Sequence, residues 1–246
     1  MSAAPVRAPV RTLAVVVPAH DEAELLPACL DALAVSLAAA RRARPDLVVA
    51  AVVVLDACRD ASADVVARRT VPGGGLVGLA VAEANVGRAR RAGVAHALER
   101  LGGADPARTW IASTDADSVV PPGWATHHLD LADDGADVVL GGVRPPLADL
   151  TPGRARAWLA RHVPGVANGH VHGANLGVRA DVYAAAGGYA PLVEHEDVGL
   201  VATARELGAR VVATADAWVL TSARLVGRTP GGYARYLRDD LENVGA

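Results

Sequence analysis

The sequence predicts an α/β fold with a doubly wound, mostly parallel sheet flanked by helices. In the first half, continuous apolar segments alternate four times with segments of helical periodicity. The apolar segments are short and rich in Val, as expected for strands that are buried on both faces of a parallel sheet. Hydrophobic residues make up 52% of the 246 residues, which is enough for a sizeable core.

The elements of the first half follow from these patterns in order. The predicted strands are Leu13–Val17, Leu47–Leu55, Leu76–Ala82 and Thr109–Thr114. A first helix has Leu25, Leu26, Cys29, Leu30, Leu33 and Leu37 at three- and four-residue spacing, and Asp21 is a candidate cap near its start. A second helix is predicted at Ala63–Arg69, the segment Pro72–Gly75 breaks the chain, and Asn85–Gly87 begins a third helix.

The second half is less regular. It predicts a strand at Val138–Leu140, a loop with a short basic helix within Pro145–Pro164, and a helix at Asp197–Leu207. Two short strands are predicted at Val211–Ala213 and Trp218–Leu220. With neither an internal repeat nor a dividing linker, the sequence predicts one domain over residues 1–246.

Composition excludes several classes of function. A net charge of −3 gives no general attraction to nucleic acid, so no nucleic-acid partner is expected. Cys29 and Cys58 lack zinc-ligand spacing and are expected to be free thiols in a reducing compartment. No apolar segment approaches the roughly 20 residues that span a bilayer, so we expect a cytoplasmic protein with at most peripheral membrane contact.

Polar residues follow each predicted strand of the first half. They are Pro18–Glu22, Asp56, Asn85–Arg88, and the pair Asp115 and Asp117. Because the carboxyl ends of parallel strands meet at one edge of a sheet, these residues are expected to line one cleft.

The Asp115 and Asp117 pair suggests a site for Mg²⁺ or Mn²⁺, which needs only one or two carboxylates when a diphosphate supplies further oxygens. An Asp-x-Asp sequence also occurs in solvated turns, so the pair alone leaves both readings open. The GxGxxG and GxxxxGK[ST] motifs are absent, which leaves metal and side chains to hold a nucleotide.

Taken together, these motifs resemble the family 2 glycosyltransferases of GT-A fold. The similarity extends from about residue 12 to 225. The matching segments are Val15–Glu22, Asp56 with Asp60, Asn85 with Gly87 and Arg88, Asp115–Asp117, Gly173–Arg179, Gly187–Tyr189 and Glu196–Asp197. The resemblance implies a nucleotide-sugar-binding half at about 12–120 and an acceptor and catalytic-base half at about 121–225.

The resemblance also implies roles for individual residues. It implies that Asp197 is the catalytic base, that Asp117 holds Mg²⁺ or Mn²⁺ on the diphosphate, and that Glu196 and Asn175 bind the acceptor. The implied donor-binding residues are Pro18, Ala19, His20, Glu22, Asp56, Asn85, Arg88, Asp115 and Arg224. A single in-line displacement with these parts inverts the anomeric centre.

Each of these residues also has a purely structural explanation when considered alone. Asp56 could cap a turn, Asn85 could be a loop residue, and Glu196 and Asp197 could be acids favoured by a helix dipole. His170 and His172 flank Val171 at strand spacing, and are either loop histidines or contacts to metal or acceptor.

Basic residues form several further groups. Arg224 and Arg228 lie in a C-terminal loop that could fold over a diphosphate. The runs at residues 41–44, 88–91 and 154–161 are predicted to be solvated helix faces, with Arg88 as the exception.

The sequence departs from the processive members of the family, since it has neither a (Q/R)xxRW motif nor transmembrane helices. We therefore expect the transfer of one sugar from a nucleoside diphosphate sugar to a small-molecule or lipid-linked hydroxyl acceptor. One alternative is a sugar-phosphate nucleotidyltransferase, although the Gly-rich, Lys-bearing loop after the first strand is missing. The other is a nucleotide-sugar-binding or metal-binding module without catalysis.

Overall fold

The computed structural model describes residues 7–69, 75–163, 165–229 and 231–241. The predicted chain break at residues 72–74 and the end of the predicted loop at Pro164 lie outside these ranges. Among the described residues, no helix has both the length and the apolarity needed to cross a membrane.

Within the described ranges, eight strands form one sheet. The strands are β1 (Thr12–Ala19), β2 (Val48–Asp56), β3 (Leu76–Val81), β4 (Thr109–Ser113), β5 (Ser118–Val119), β6 (Val138–Arg144), β7 (Leu176–Arg179) and β8 (Val211–Thr221). Their order across the sheet is β3-β2-β1-β4-β7-β6-β8-β5. Strands β1 to β4 are mutually parallel, which confirms the predicted parallel sheet of the first half.

Helices cover both faces of this sheet. They are α1 (Leu26–Ala43), α2 (Ser62–Ala67), α3 (Val86–Arg100), α4 (Trp124–Asp133), α5 (Pro152–Arg161), α6 (Ala180–Ala185), α7 (Glu196–Glu206) and a short α8 (Tyr233–Arg235) that continues into a π-helical turn at Tyr236–Asp240. Alternate residues of β1 serve the two faces: Val15 packs in the core that contains α1 and α4, and Val16 packs in the core that contains α3 and α7.

The strand β7 was not predicted, and it runs antiparallel between β4 and β6. Ser113 at the end of β4 pairs with Leu176 at the start of β7. The residues that precede β7 therefore lie at the carboxyl end of β4, next to Asp115. This reversal brings the second half of the chain to the predicted site.

The prediction of two short strands at Val211–Ala213 and Trp218–Leu220 was wrong, because β8 is continuous. An irregularity in its pairing with β6, between Gly141 and Val143, and a positive φ of 54° at Ala217 accommodate the polar segment between the two apolar ones.

The prediction that Asp21 caps α1 was wrong. The helix begins at Leu26 without a side-chain cap. Asp21 instead has a φ of 51° and accepts hydrogen bonds from the backbone N–H groups of Arg59 and Asp60, which joins the ends of β1 and β2.

Gly177 in β7 leaves room for two large side chains. A Cβ atom at this position would come within 2.6 Å of Trp110 Nε1 and would also clash with His128. Both neighbours are buried, and His128 is packed between Trp110 and Trp124.

We therefore expect Gly177→Ala to lower the free energy of unfolding by about 1–3 kcal/mol, the usual cost of overpacking a core. The matched control is Gly199→Ala in α7, where an added Cβ meets nothing within 4 Å. That substitution should be neutral or stabilise the helix by about 0.5–1 kcal/mol. Urea unfolding measures both variants, and equal stabilities would contradict this account of Gly177.

Candidate active site

A cleft of about 740 Å³ lies at the carboxyl edge of the parallel strands. The predicted site residues that line it are Pro18, Ala19, His20, Glu22, Asp56, Asn85, Asp115, Asp117, Glu196, Asp197 and Arg224. Arg88 and Asn175 are not among its lining residues. The structure therefore brings together eleven of the thirteen predicted positions.

The carboxylate of Asp56 is held by three consecutive backbone N–H groups. Its Oδ1 accepts from Glu83 and Ala84 at 2.7 and 2.9 Å, and its Oδ2 accepts from Asn85 at 3.0 Å. A positive φ of 47° at Ala84 bends the chain so that all three donors converge. His20 contacts the Asp56 carbonyl at 2.6 Å, so the ends of β1, β2 and β3 form one wall.

Asn85 and Arg88 have local roles at the start of α3. Asn85 is the N-cap, and its side chain accepts from the Arg88 backbone N–H at 2.9 Å. The Arg88 side chain is 57% exposed and pairs with Glu83 at 3.2 Å, outside the cleft. The predicted contact of Arg88 with a donor is thus not supported by its position, because the side chain projects from the solvent face of the helix.

The prediction of a solvated face at residues 88–91 was wrong for Arg90, which is 4% exposed. Its guanidinium pairs with Asp115 at 2.5 Å and with Glu196. Periodicity could have located it, since Arg90 precedes the apolar residue Val94 by one helical turn and so lies on the same face of the helix.

Gly173 provides the space for Arg90. A Cβ atom there would approach the Arg90 guanidinium carbon to 2.6 Å. Ser113 Oγ donates to the Gly173 carbonyl at 2.6 Å, which fixes this backbone beside β4. The glycine is therefore required by the close approach of a buried cation.

Glu196 and Asp197 occupy the first turn of α7 and differ in exposure. Glu196 is 2% exposed, and burial raises its pKa while Arg90 opposes the increase. Asp197 is half-buried and faces the cleft. Its Oδ2 accepts from the Gly173 N–H at 2.6 Å, and its Oδ1 accepts from Val198 at 2.8 Å. These bonds hold the Asp197 carboxylate in one orientation.

Asp117 and Glu22 share one cation on the opposite side of the cleft. Arg224 lies 2.8 Å from a carboxylate oxygen of each. Burial and the neighbouring Asp115 raise the pKa of Asp117 to about 6, and Arg224 opposes the increase. Arg228 also approaches Glu22, at 3.6 Å, so the C-terminal segment closes over this side of the cleft.

Asn175, which was predicted to bind the acceptor, does not line the cleft. Its side chain is in the interior, at 1% exposure. The amide oxygen accepts from Trp124 and His128 at 2.8 and 3.0 Å, and the amide nitrogen donates to the carbonyls of Gly142 and Ala217 at 2.9 and 3.1 Å. All four bonds of this amide are used within the protein, so Asn175 supports β6, β7 and β8.

One set of carboxylate and thiol groups among the described residues lies close enough together to share an ion. Within the described ranges, the group of three that qualifies is Asp21, Cys58 and Asp60. Both aspartates accept backbone hydrogen bonds there, as in an ordinary turn. Asp115 and Asp117 belong to no such group, and each is paired with an arginine.

The sequence is similar to a known protein family. The family model described as Glycosyl transferase family 2 matches residues 14–182. The sequence matches no curated protein.

Two solved proteins show the extent of the structural likeness. TarS 1-349 from S. aureus has a TM-score of 0.60 and 16% identity, with 87% of this chain and 61% of that chain covered. The mannosyltransferase PcManGT from Pyrobaculum calidifontis, in complex with GDP-Man and Mn2+, has a TM-score of 0.56 and 22% identity, with 87% and 57% covered. The chain thus spans less than two thirds of each protein, and the predicted GT-A fold is confirmed.

The buried ion pair between Arg90 and Glu196 can be tested by substitution. Arg90→Met leaves Glu196 buried without its partner, so we expect the free energy of unfolding to fall by about 3–5 kcal/mol at pH 8. In this variant the pKa of Glu196 rises further, so the folded state takes up a proton that the unfolded state does not. The deficit should therefore shrink as the pH is lowered from about 8 to 5.

Denaturant unfolding across this pH range measures the deficit. The double variant Arg90→Met/Glu196→Gln, which leaves no lone charge at residue 196, should recover part of the loss. Arg88→Met, in the same helix but exposed, should change stability by no more than about 0.5 kcal/mol. Equal effects of the two single arginine substitutions would contradict the role of Arg90.

Proposed function

The chain belongs to glycosyl transferase family 2, and from this premise we propose that it is a metal-dependent, inverting glycosyltransferase. In this proposal it moves one sugar from a nucleoside diphosphate sugar to a hydroxyl acceptor. The observation that carries the proposal is that Asp117, which follows β4, and Asp197, in the first turn of α7, face the same cleft. One carboxylate is thereby available for a metal-bound diphosphate and another for an acceptor.

The carboxylate oxygens on the Asp117 side of the cleft are suitable ligands for Mg²⁺ or Mn²⁺. Both ions prefer carboxylate oxygens, and Asp117 and Asp115 supply them at the cleft. When bound, the cation supplies charge stabilisation for the departing nucleoside diphosphate. PcManGT shares this fold and was solved in complex with GDP-Man and Mn2+, which supports the proposal of a divalent metal ion and a nucleotide sugar here.

The nucleoside is assigned to the wall formed by the ends of β1, β2 and β3, here named the nucleoside wall. Pro18, Ala19 and His20 supply its apolar surface and one ring edge. Glu22, Asp56 and Asn85, which begins α3 as its N-cap, also line the cleft. Because the Asp56 carboxylate already accepts three backbone bonds, we assign it mainly to shaping this wall, and only its remaining lone pairs to the nucleoside.

Asp197 is assigned as the general base. As the acceptor oxygen forms its bond to the anomeric carbon, the hydroxyl proton passes to a carboxylate oxygen of Asp197. The bond between the anomeric carbon and the diphosphate breaks in the same displacement, and the electron pair leaves with the nucleoside diphosphate. The bond from the Gly173 N–H holds Asp197 in place for this transfer.

Donor binding can be tested without a known acceptor. We expect one of UDP, GDP, dTDP and CDP to raise the melting temperature when Mn²⁺ is present, because a ligand at 100 times its Kd adds about 2.7 kcal/mol to native-state stability. Asp117→Asn should lose this shift. Asp46→Asn, a substitution at an exposed aspartate away from the cleft, should retain it. A shift that is independent of Mn²⁺ and of Asp117 would remove the metal assignment.

The base can be tested by separating binding from turnover. Asp197→Asn keeps an oxygen acceptor for the Gly173 N–H, so we expect donor binding to change by less than about twofold. Release of nucleoside diphosphate in the presence of an acceptor should fall by about 10²–10⁴-fold. Wild-type turnover in this variant would exclude Asp197 as the base, and release of pyrophosphate by the wild type would identify a nucleotidyltransferase instead.

A further inference from the structure

Aromatic rings are concentrated on one side of the cleft in a chain that has few of them. The sequence contains four Trp, four Tyr and no Phe. Half of these, together with three histidines, form one connected group of rings. The part that lines the cleft, here named the aromatic wall, consists of His162, His170, His172, Tyr233 and Tyr236, and Trp158 and Trp218 lie behind it.

The rings of the wall are in continuous contact. The centroid distances are 4.2 Å for Trp158–His162, 6.3 Å for His162–His170, 6.0 Å for His170–His172, 6.2 Å for His172–Tyr233 and 5.6 Å for Tyr233–Tyr236. The first pair is stacked at an interplanar angle of 6°. Trp158 Nε1 donates to Tyr233 Oη at 2.9 Å, which fixes these two rings relative to each other. The wall is therefore a formed surface.

The wall begins next to the assigned base. His172 directly precedes Gly173, whose N–H group donates to Asp197. The nucleoside wall and Asp117 lie on elements of the first half of the chain, whereas the aromatic wall comes from the second half. A molecule resting on the wall would therefore lie beside Asp197.

The wall offers rings and little positive charge: the Arg161 side chain, which is not among the residues that line the cleft, hydrogen-bonds Tyr236. Burial lowers the pKa of His172 to about 4 and also lowers the pKa of His162, which favours the neutral form of both imidazoles. Among the described lining residues, the three arginines are Arg90, Arg224 and Arg228, and each is paired with a carboxylate. Glu194, Glu196 and Asp197 lie on the same side as the wall. A phosphorylated or carboxylate acceptor would meet net negative charge there.

We propose that the aromatic wall is the acceptor subsite and that it takes a neutral pyranoside, an inference that rests on the function proposed above. One face of a pyranose ring presents C–H groups, which are apolar and slightly positive and therefore pack on the faces of aromatic rings. The hydroxyl groups at the ring edge can bond to imidazole nitrogens and the Tyr hydroxyls. This mixture of ring faces and polar edges matches a sugar better than a hydrocarbon chain.

Binding to the wall can be measured directly by saturation-transfer NMR and tryptophan fluorescence, because Trp158 is stacked on His162. The probes are the methyl α- and β-pyranosides of glucose, mannose and galactose. They are compared with glucose 6-phosphate and with 1-octanol, each with and without Mn²⁺ and the nucleoside diphosphate that stabilises the protein. We expect at least one methyl pyranoside to bind, and neither the phosphate nor the alcohol to compete with it.

Variants at the cleft surface make the test specific. His170→Ala and Tyr236→Ala remove rings at the exposed part of the wall and should each weaken pyranoside binding by about 3–10-fold. His96→Ala, in α3 and outside the cleft, is the control and should leave it unchanged. In all three variants the nucleotide shift with Mn²⁺ should equal that of the wild type, which also shows that they are folded.

The outcomes separate the two proposals. If the nucleotide shift is present but no pyranoside binds, or binding is indifferent to both wall variants, the acceptor assignment is overturned and the proposed function stands. Preferred binding of glucose 6-phosphate or of 1-octanol would likewise overturn it in favour of an anionic or a lipid-like acceptor. Loss of the nucleotide shift in the wild type would instead contradict the proposed function itself.

Discussion

The ion pairs of Arg90 are the interaction on which the rest of the site depends. Removal of a guanidinium from water is costly, and two carboxylates from different halves of the chain offset that cost. Asp115 belongs to the segment that follows β4, and Glu196 begins α7. The next acids along each segment are Asp117 and Asp197. One buried cation thus fixes the two backbones that present the assigned metal ligand and the assigned base to the same cleft.

Close approach explains why parts of the motifs at residues 85–88 and 173–177 are glycines. Gly173 makes room for Arg90, and Gly177 makes room for Trp110 and His128. A Cβ atom at Gly87 would clash with the backbone of residues 190–192, which accepts the Gly87 N–H at 3.0 Å. These positions bring the second half of the chain against the first. A motif that resembles a binding segment therefore also contains residues whose role is packing, and Asn175 is one of them.

The sequence predicts the first half well because its signals are local. Strands buried on both faces carry continuous apolar runs, and parallel pairing puts their polar ends at one edge. The four residues of β7 are too few to show a period, and β8 contains polar residues where its pairing shifts. The burial of Arg90 could have been predicted, because it lies one helical turn before the apolar residue Val94. The aromatic wall could not have been predicted in this way, because its rings come from residues 162–236 and meet only in the folded chain.

Charge balance links the two sides of the cleft. Seven carboxylates line it and three arginines oppose them, so the described cleft has an excess of negative charge. Burial and Asp115 raise the pKa of Asp117 to about 6, and Arg224 is the cation that favours its ionised form. In the proposed function a divalent ion takes over this task, and Arg224 can then pair with the diphosphate that arrives with the ion. The excess acidity thus favours a donor that comes with metal and disfavours an anionic acceptor, so the same charges can select both substrates.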